Sequence, residues 1–159
     1  MTTQGVERRW TAVSSRPEGA PAACKAPFSS MYLDARGFVR ACCMNDYQLL
    51  GNVADTPLLA IWQGEKAHEL RRAMERNDLS VGCEFCQWQV EAGSRELAFS
   101  RHFEHFEVSA KTLDWPQQLE LAMSNACNLQ CVMCNAEWAS SIRAHRDGLP
   151  PLPKVYGDA

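Results

Sequence analysis

Residues 127–134 read CNLQCVMC. Cys127, Cys131 and Cys134 stand within this stretch at gaps of three and two residues, with no fourth metal ligand beside them. A structural zinc site closes with four protein ligands. Three sulfurs alone therefore describe a metal centre with one open position, or one that borrows a ligand from elsewhere in the chain. The flanks matter as much. Before the cysteines, QLELAM alternates Leu119, Leu121 and Met123 against Glu120 and Ala122, the period-two pattern of a strand. After them, residues from about Ala136 to His145 predict a helix. The unit reads as strand, cysteine loop, helix.

Elsewhere the chain of 159 residues carries Cys24, Cys42, Cys43, Cys83 and Cys86, eight cysteines in all. No run approaches the roughly 18 apolar residues of a membrane-spanning helix. The first residues, MTTQGVERRWTAVSSRPEGAPAA, lack the apolar centre of a signal peptide. Both points predict a cytoplasmic protein, where thiols bind metal more readily than they form disulfides. The net charge of −3, with no Lys/Arg cluster, excludes nucleic-acid binding by bulk electrostatics.

Residues 1–21 are rich in Ser, Pro, Ala and Gly without periodicity and predict a disordered leader. SMYLD and GFVRA then flank DARG, whose turn chemistry predicts a β-hairpin. Thr56-Pro57 predicts a helix start, with the hydroxyl at N-cap and proline at N1. The helix LLAIW is short because Gly64 interrupts it, and a second helix follows through EKAHELRRAMERND with Ala67, Leu70 and Met74 on one stripe. VGCEFC is a turn carrying two cysteines. Val90 to Val108 predicts a further helix with Phe99, Phe103 and Phe106 on one face. The boundary between two units falls near residues 109–116.

The strand–CxxxCxxC–helix unit resembles the opening of radical S-adenosylmethionine (SAM) enzymes. In that family the three thiolates, here Cys127, Cys131 and Cys134, hold three irons of a [4Fe–4S] cluster. SAM binds the fourth iron, and its reductive cleavage gives a 5′-deoxyadenosyl radical. Thiolates suit such clusters, and the cofactor carries the radical chemistry. The resemblance makes Met133, before the third cysteine, a contact for the SAM adenine, where relatives carry an aromatic residue. The remaining cysteines resemble the SPASM or shorter twitch module, an accessory domain with an auxiliary iron–sulfur cluster. The order Cys24, Gly37, Cys42, the segment GNVADTPLLAIWQGEKAHELRRAMERNDL, and Cys83-Glu-Phe-Cys86 follows that module. It implies Cys24, Cys42, Cys83 and Cys86 as auxiliary ligands, with Cys43 competing with Cys42. A Cys₄ zinc knot is the alternative for the same pairs.

The resemblance therefore implies an α+β chain: a SPASM/twitch-like module of hairpin and helices over 22–108, followed over 109–159 by the first β/α unit of an incomplete radical SAM barrel. It also implies two [4Fe–4S] clusters, SAM, a peptide or protein substrate and an electron donor such as a flavodoxin or ferredoxin, with no nucleic acid and no membrane. A complete barrel takes about 250 residues, so the expectation is a piece of a longer enzyme, inactive alone. The alternative is a non-catalytic iron–sulfur or zinc module for electron transfer or partner binding. His102 and His105, three apart, read as solvated positions. Glu137 and Arg143 follow the cysteine loop closely enough to approach SAM, but read more simply as surface. Trp138 reads as a packing anchor.

Overall fold

The structure, a computed structural model, describes residues 23–109 and 113–157. The expected leader over 1–21 lies outside the described residues.

The architecture is α+β, built on a four-stranded sheet of order β3-β2-β1-β4. A short helix α1 (Ala26–Ser29) leads directly into β1 (Ser30–Leu33). DARG turns the chain back into β2 (Phe38–Arg40), antiparallel to β1 with Tyr32 opposite Arg40 and Leu33 opposite Val39. The turn is fixed by its first residue. Asp34 Oδ1 accepts hydrogen bonds from the Arg36 and Phe38 amides at 2.9 and 3.0 Å. Gly37 closes it at φ 82°, a region open to glycine. β3 (Gly51–Asn52) pairs antiparallel with β2 on the outer edge.

α2 (Leu58–Trp62) and α3 (Glu65–Glu75) are the two expected helices, separated at Gly64. The N-cap of α2 is Pro57 rather than Thr56, and no side chain caps it. On α3, Ala67, Leu70 and Met74 are buried together, as the stripe requires. They join Phe28, Met31, Val39, Ile61, Trp62 and Phe103 in one core. Arg71 is buried beside them, its guanidinium 4.2 Å from the centre of the Trp62 ring and its Nε donating to the Pro27 carbonyl at 2.8 Å.

Two expected helices are cut. α4 (Glu84–Glu91) starts earlier than predicted, with Cys83 at its N-cap, and stops where Gly93 takes φ 79°. Two 3₁₀ turns, Arg95–Leu97 and Phe99–Phe103, replace the rest, with Ala98 extended between them. Phe103 still reaches the core. The helix expected from Ala136 begins only at Ser140 and passes into a π-type turn at Ile142–Arg146. Residues 136–138 before it form a turn, in which the Glu137 amide donates to Asn135 Oδ1 at 2.9 Å.

β4 (Gln118–Leu121) is the strand predicted from QLELAM. It runs parallel to β1, from Ser30 opposite Gln118 to Leu33 opposite Leu121. One of its edges is thus paired, and the strand that delivers the CNLQCVMC loop grows on the hairpin's own sheet. Tyr156 returns to the same place, its hydroxyl donating to the Asp34 carbonyl at 2.7 Å. Among the described residues no helix is long and apolar enough to cross a membrane.

Candidate metal centre

The four cysteines implied for the auxiliary site come from three places in the fold. Cys24 precedes α1, Cys42 follows β2, Cys83 caps α4 and Cys86 sits in its first turn. The core packing of α1, β2 and α3 brings these places together. Cys24, Cys42, Cys83 and Cys86 all line one small cavity of about 10 Å³. Ala26, Pro27, Ala41, Leu79, Phe99 and Phe103 add apolar wall. All eight cysteines are free thiols.

Electrostatics at the cavity are unusual for thiols. Burial pushes Cys24 up to about 12 and Cys83 up to about 11, and lifts Cys42 well above its ordinary value. Cys86 is raised by burial too. Neighbouring thiols add to the effect, since Cys24 feels Cys83 and Cys86, and Cys42 feels Cys24 and Cys83. Several thiolates confined in an apolar wall are costly unless a cationic group neutralises them. Yet each sulfur also meets an N–H group, which favours the thiolate. The Ala26 amide lies 3.4 Å from Cys24 Sγ, and Asn45 Nδ2 lies 3.2 Å from Cys83 Sγ. The Met44 amide serves Cys42, and the Phe99 and Ser100 amides serve Cys86.

The donor set fits an iron–sulfur cluster. Thiolates are the standard cluster ligands, and N–H···S bonds with an apolar surround tune the bound group. Among the described residues, no three His, Cys, Asp or Glu side chains meet at a point that would hold one metal ion.

Cys43 takes no place in this wall. It is half-buried, raised first by burial and then by Glu120 of β4, with which it shares a hydrogen bond.

The CNLQCVMC loop is organised differently. Ser140 clamps its start, accepting from the Cys127 amide at 3.0 Å and donating to the Cys127 carbonyl at 3.1 Å. Arg146 Nη2 holds its end through the Cys134 carbonyl at 3.1 Å. Cys127 and Cys134 are half-buried and Cys131 is exposed. Cys127 lines an open cleft with Asn125, Ser140, Arg143 and His145. Met133 is 96% exposed, on the solvent side of the loop. Trp138 is 49% exposed and so is no packing anchor, because Ala139 and Ile142 take the inward positions. Glu137 and Arg143 are not isolated surface charges. Glu137 pairs with Arg36 of the hairpin turn, and Arg143 Nη1 lies 3.5 Å from Glu137. His102 and His105 stack edge-on at 6.3 Å between ring centres, beside Phe103 and Phe106.

Sequence reasoning missed Asn45 and the amides of Met44, Phe99 and Ser100. No residue-type pattern marks a backbone N–H, and Asn45 had only its position three residues after Cys42.

No curated protein and no solved structure matches the chain. Residues 24–87 match the family model of SPASM, an iron–sulfur cluster-binding domain whose matched span begins at Cys24 and takes in Cys42, Cys83 and Cys86.

Proposed function

We propose that Cys24, Cys42, Cys83 and Cys86 hold a [4Fe–4S] cluster, and that Cys127, Cys131 and Cys134 hold a second one whose open iron takes SAM. The observation that carries the reading is the apolar cavity lined by Cys24, Cys42, Cys83 and Cys86, each with an N–H donor at its sulfur. Support also comes from the match of residues 24–87 to an iron–sulfur cluster-binding domain. When bound, the clusters and SAM would supply one-electron chemistry, directed at a peptide or protein side chain.

The residues of this chain bind and orient. Four sulfurs would complete the ligation of the first cluster, which would leave it a role in electron transfer or structural support. The amides around it stabilise negative charge on sulfur, and Phe99 and Phe103 exclude water. On the other loop, Ser140 and Arg146 fix the ends of the three-cysteine stretch, while Met133 faces outward where an adenine ring would pack. An external reductant such as a flavodoxin or ferredoxin completes the electron path.

A second reading, a non-catalytic module loaded only at the first site, is favoured by the exposure of Cys131 and Met133. Anaerobic reconstitution with iron and sulfide, followed by a SAM titration, separates the two. About eight irons per chain and a SAM-dependent spectral change fit the first. About four irons and no response to SAM fit the second. A colourless zinc protein contradicts the first and leaves a structural zinc module.

A further inference from the structure

Asn45 is a polar side chain in a place where the fold has no need of one. It is 1% exposed and belongs to the wall of the four-cysteine cavity. Its Nδ2 donates to Cys83 Sγ at 3.2 Å, and its Oδ1 is buried with no hydrogen-bond partner. A buried amide oxygen left unpaired costs its lost hydration, so a hydrocarbon of similar size would suit the apo fold at least as well. The surroundings nevertheless make room for the amide. Gly82, at φ 68°, lies so close that a Cβ there would come 3.2 Å from Asn45 Nδ2 and 2.8 Å from the Gln48 amide. The Asn45 amide in turn donates to the Cys42 carbonyl at 3.2 Å, which anchors the residue to the loop of a second cluster sulfur.

We propose that Asn45 is a positioning residue that orients the Cys83 sulfur and sets the reduction potential of the group held in the cavity. The inference rests on the iron–sulfur reading of the four cysteines. Of the donors that meet these sulfurs, Asn45 is the side chain; the others are backbone amides. It is therefore the donor that substitution can remove. An N–H···S bond stabilises negative charge on sulfur and so favours the reduced, more negative state of the cluster. Without the bond the cluster is harder to reduce.

The test uses the full chain carrying Cys127→Ser, Cys131→Ser and Cys134→Ser, so that one site contributes to the signal. Asn45→Leu removes the donor, and Asn45→Asp keeps the shape while replacing the donor by an acceptor. Both are reconstituted anaerobically, assayed for iron and sulfide, and titrated potentiometrically against the Asn45 parent. The expected result is unchanged iron and sulfide content with a more negative potential in both variants, larger in Asn45→Asp. A loaded Asn45→Leu protein with the parent's potential overturns the inference. So does loss of the cluster from both variants, which would make Asn45 a requirement of assembly instead of a tuning group. A parent that takes no iron and sulfide contradicts the iron–sulfur reading itself, an outcome visible before either variant is compared.

Discussion

Cys42 and Cys43 are adjacent in sequence and face different surroundings. Cys42 lines the apolar cavity with Cys24, Cys83 and Cys86, and Cys43 hydrogen-bonds with Glu120 on β4. Residues 41–44 form a bend and turn after β2, which sends the two side chains to different surroundings. Cys42→Ser is expected to lose the iron bound at the first site, and Cys43→Ser to retain it with no more than a small loss of stability. Iron and sulfide analysis of the two reconstituted variants checks this. Equal loss from both would mean that the loop after β2 rearranges on binding.

The raised thiols set a pH dependence for the metal-free chain. Burial holds Cys24 near 12 and Cys83 near 11, against an ordinary value of 9.0. In both, the folded state keeps a proton that the unfolded state releases. Their contribution to stability is therefore complete below about pH 9 and is lost as the pH rises toward 11–12. The urea midpoint of the metal-free protein is expected to fall between about pH 8.5 and pH 10.5, and to fall less in Cys24→Ala. Alkylation at neutral pH should label exposed Cys131 before Cys24 or Cys42.

Gly37 ties the hairpin to the end of the described chain. A Cβ at this position would lie 2.6 Å from Val155 Cγ1 and 2.7 Å from Asn52 Oδ1, on a backbone with φ 82°. Gly37→Ala is expected to cost about 1–3 kcal/mol through backbone strain and the displaced neighbours. Chemical denaturation reads the cost. Hydrogen exchange should place the local loosening at the turn and around Tyr156, whose hydroxyl binds the Asp34 carbonyl.

Trp62 is the largest fully buried side chain, and its Nε1 donates to the Leu113 carbonyl at 2.7 Å. Trp62→Ala should cost about 3–5 kcal/mol. Part of that is the stacking of Arg71 at 4.2 Å. A double-mutant cycle with Arg71→Met is expected to give a coupling of about 0.5–2 kcal/mol. A coupling of zero would assign the whole loss to packing.

Glu137 connects the cysteine loop to the hairpin through Arg36 and Arg143. Arg36 and Glu137 are 41% and 45% exposed, so Glu137→Ala should change global stability by less than about 1 kcal/mol. The expected effect is local: faster hydrogen exchange over residues 127–139, with the four-cysteine cavity unaffected. An equal rise in exchange at both places would make the two sites one cooperative unit.

The sequence made the hairpin legible because DARG combines an Asx-type turn former with glycine at the position of positive φ. The stripe on α3 was legible because Ala67, Leu70 and Met74 keep helical spacing and a buried face. The helix expected over Val90–Val108 failed because α4 ends before Gly93, at φ 79°, and Ala98 is extended between the two 3₁₀ turns, so Phe99, Phe103 and Phe106 share no single helix. The parallel pairing of β4 with β1 had no local signature, since its register joins segments far apart in the chain. Spacing pointed to the four sulfurs that line the cavity, but the placement of Cys42 rather than Cys43 there and the position of Asn45 depend on side-chain direction, which one-dimensional patterns do not carry.

The central claim is that Cys24, Cys42, Cys83 and Cys86 hold an iron–sulfur cluster without help from the CNLQCVMC loop. Metal and sulfide analysis of the anaerobically reconstituted Cys127→Ser/Cys131→Ser/Cys134→Ser chain tests it most directly. The predicted result is about four irons and four sulfides per chain with broad visible absorption. A colourless product, with stoichiometric zinc or with no metal, would contradict it.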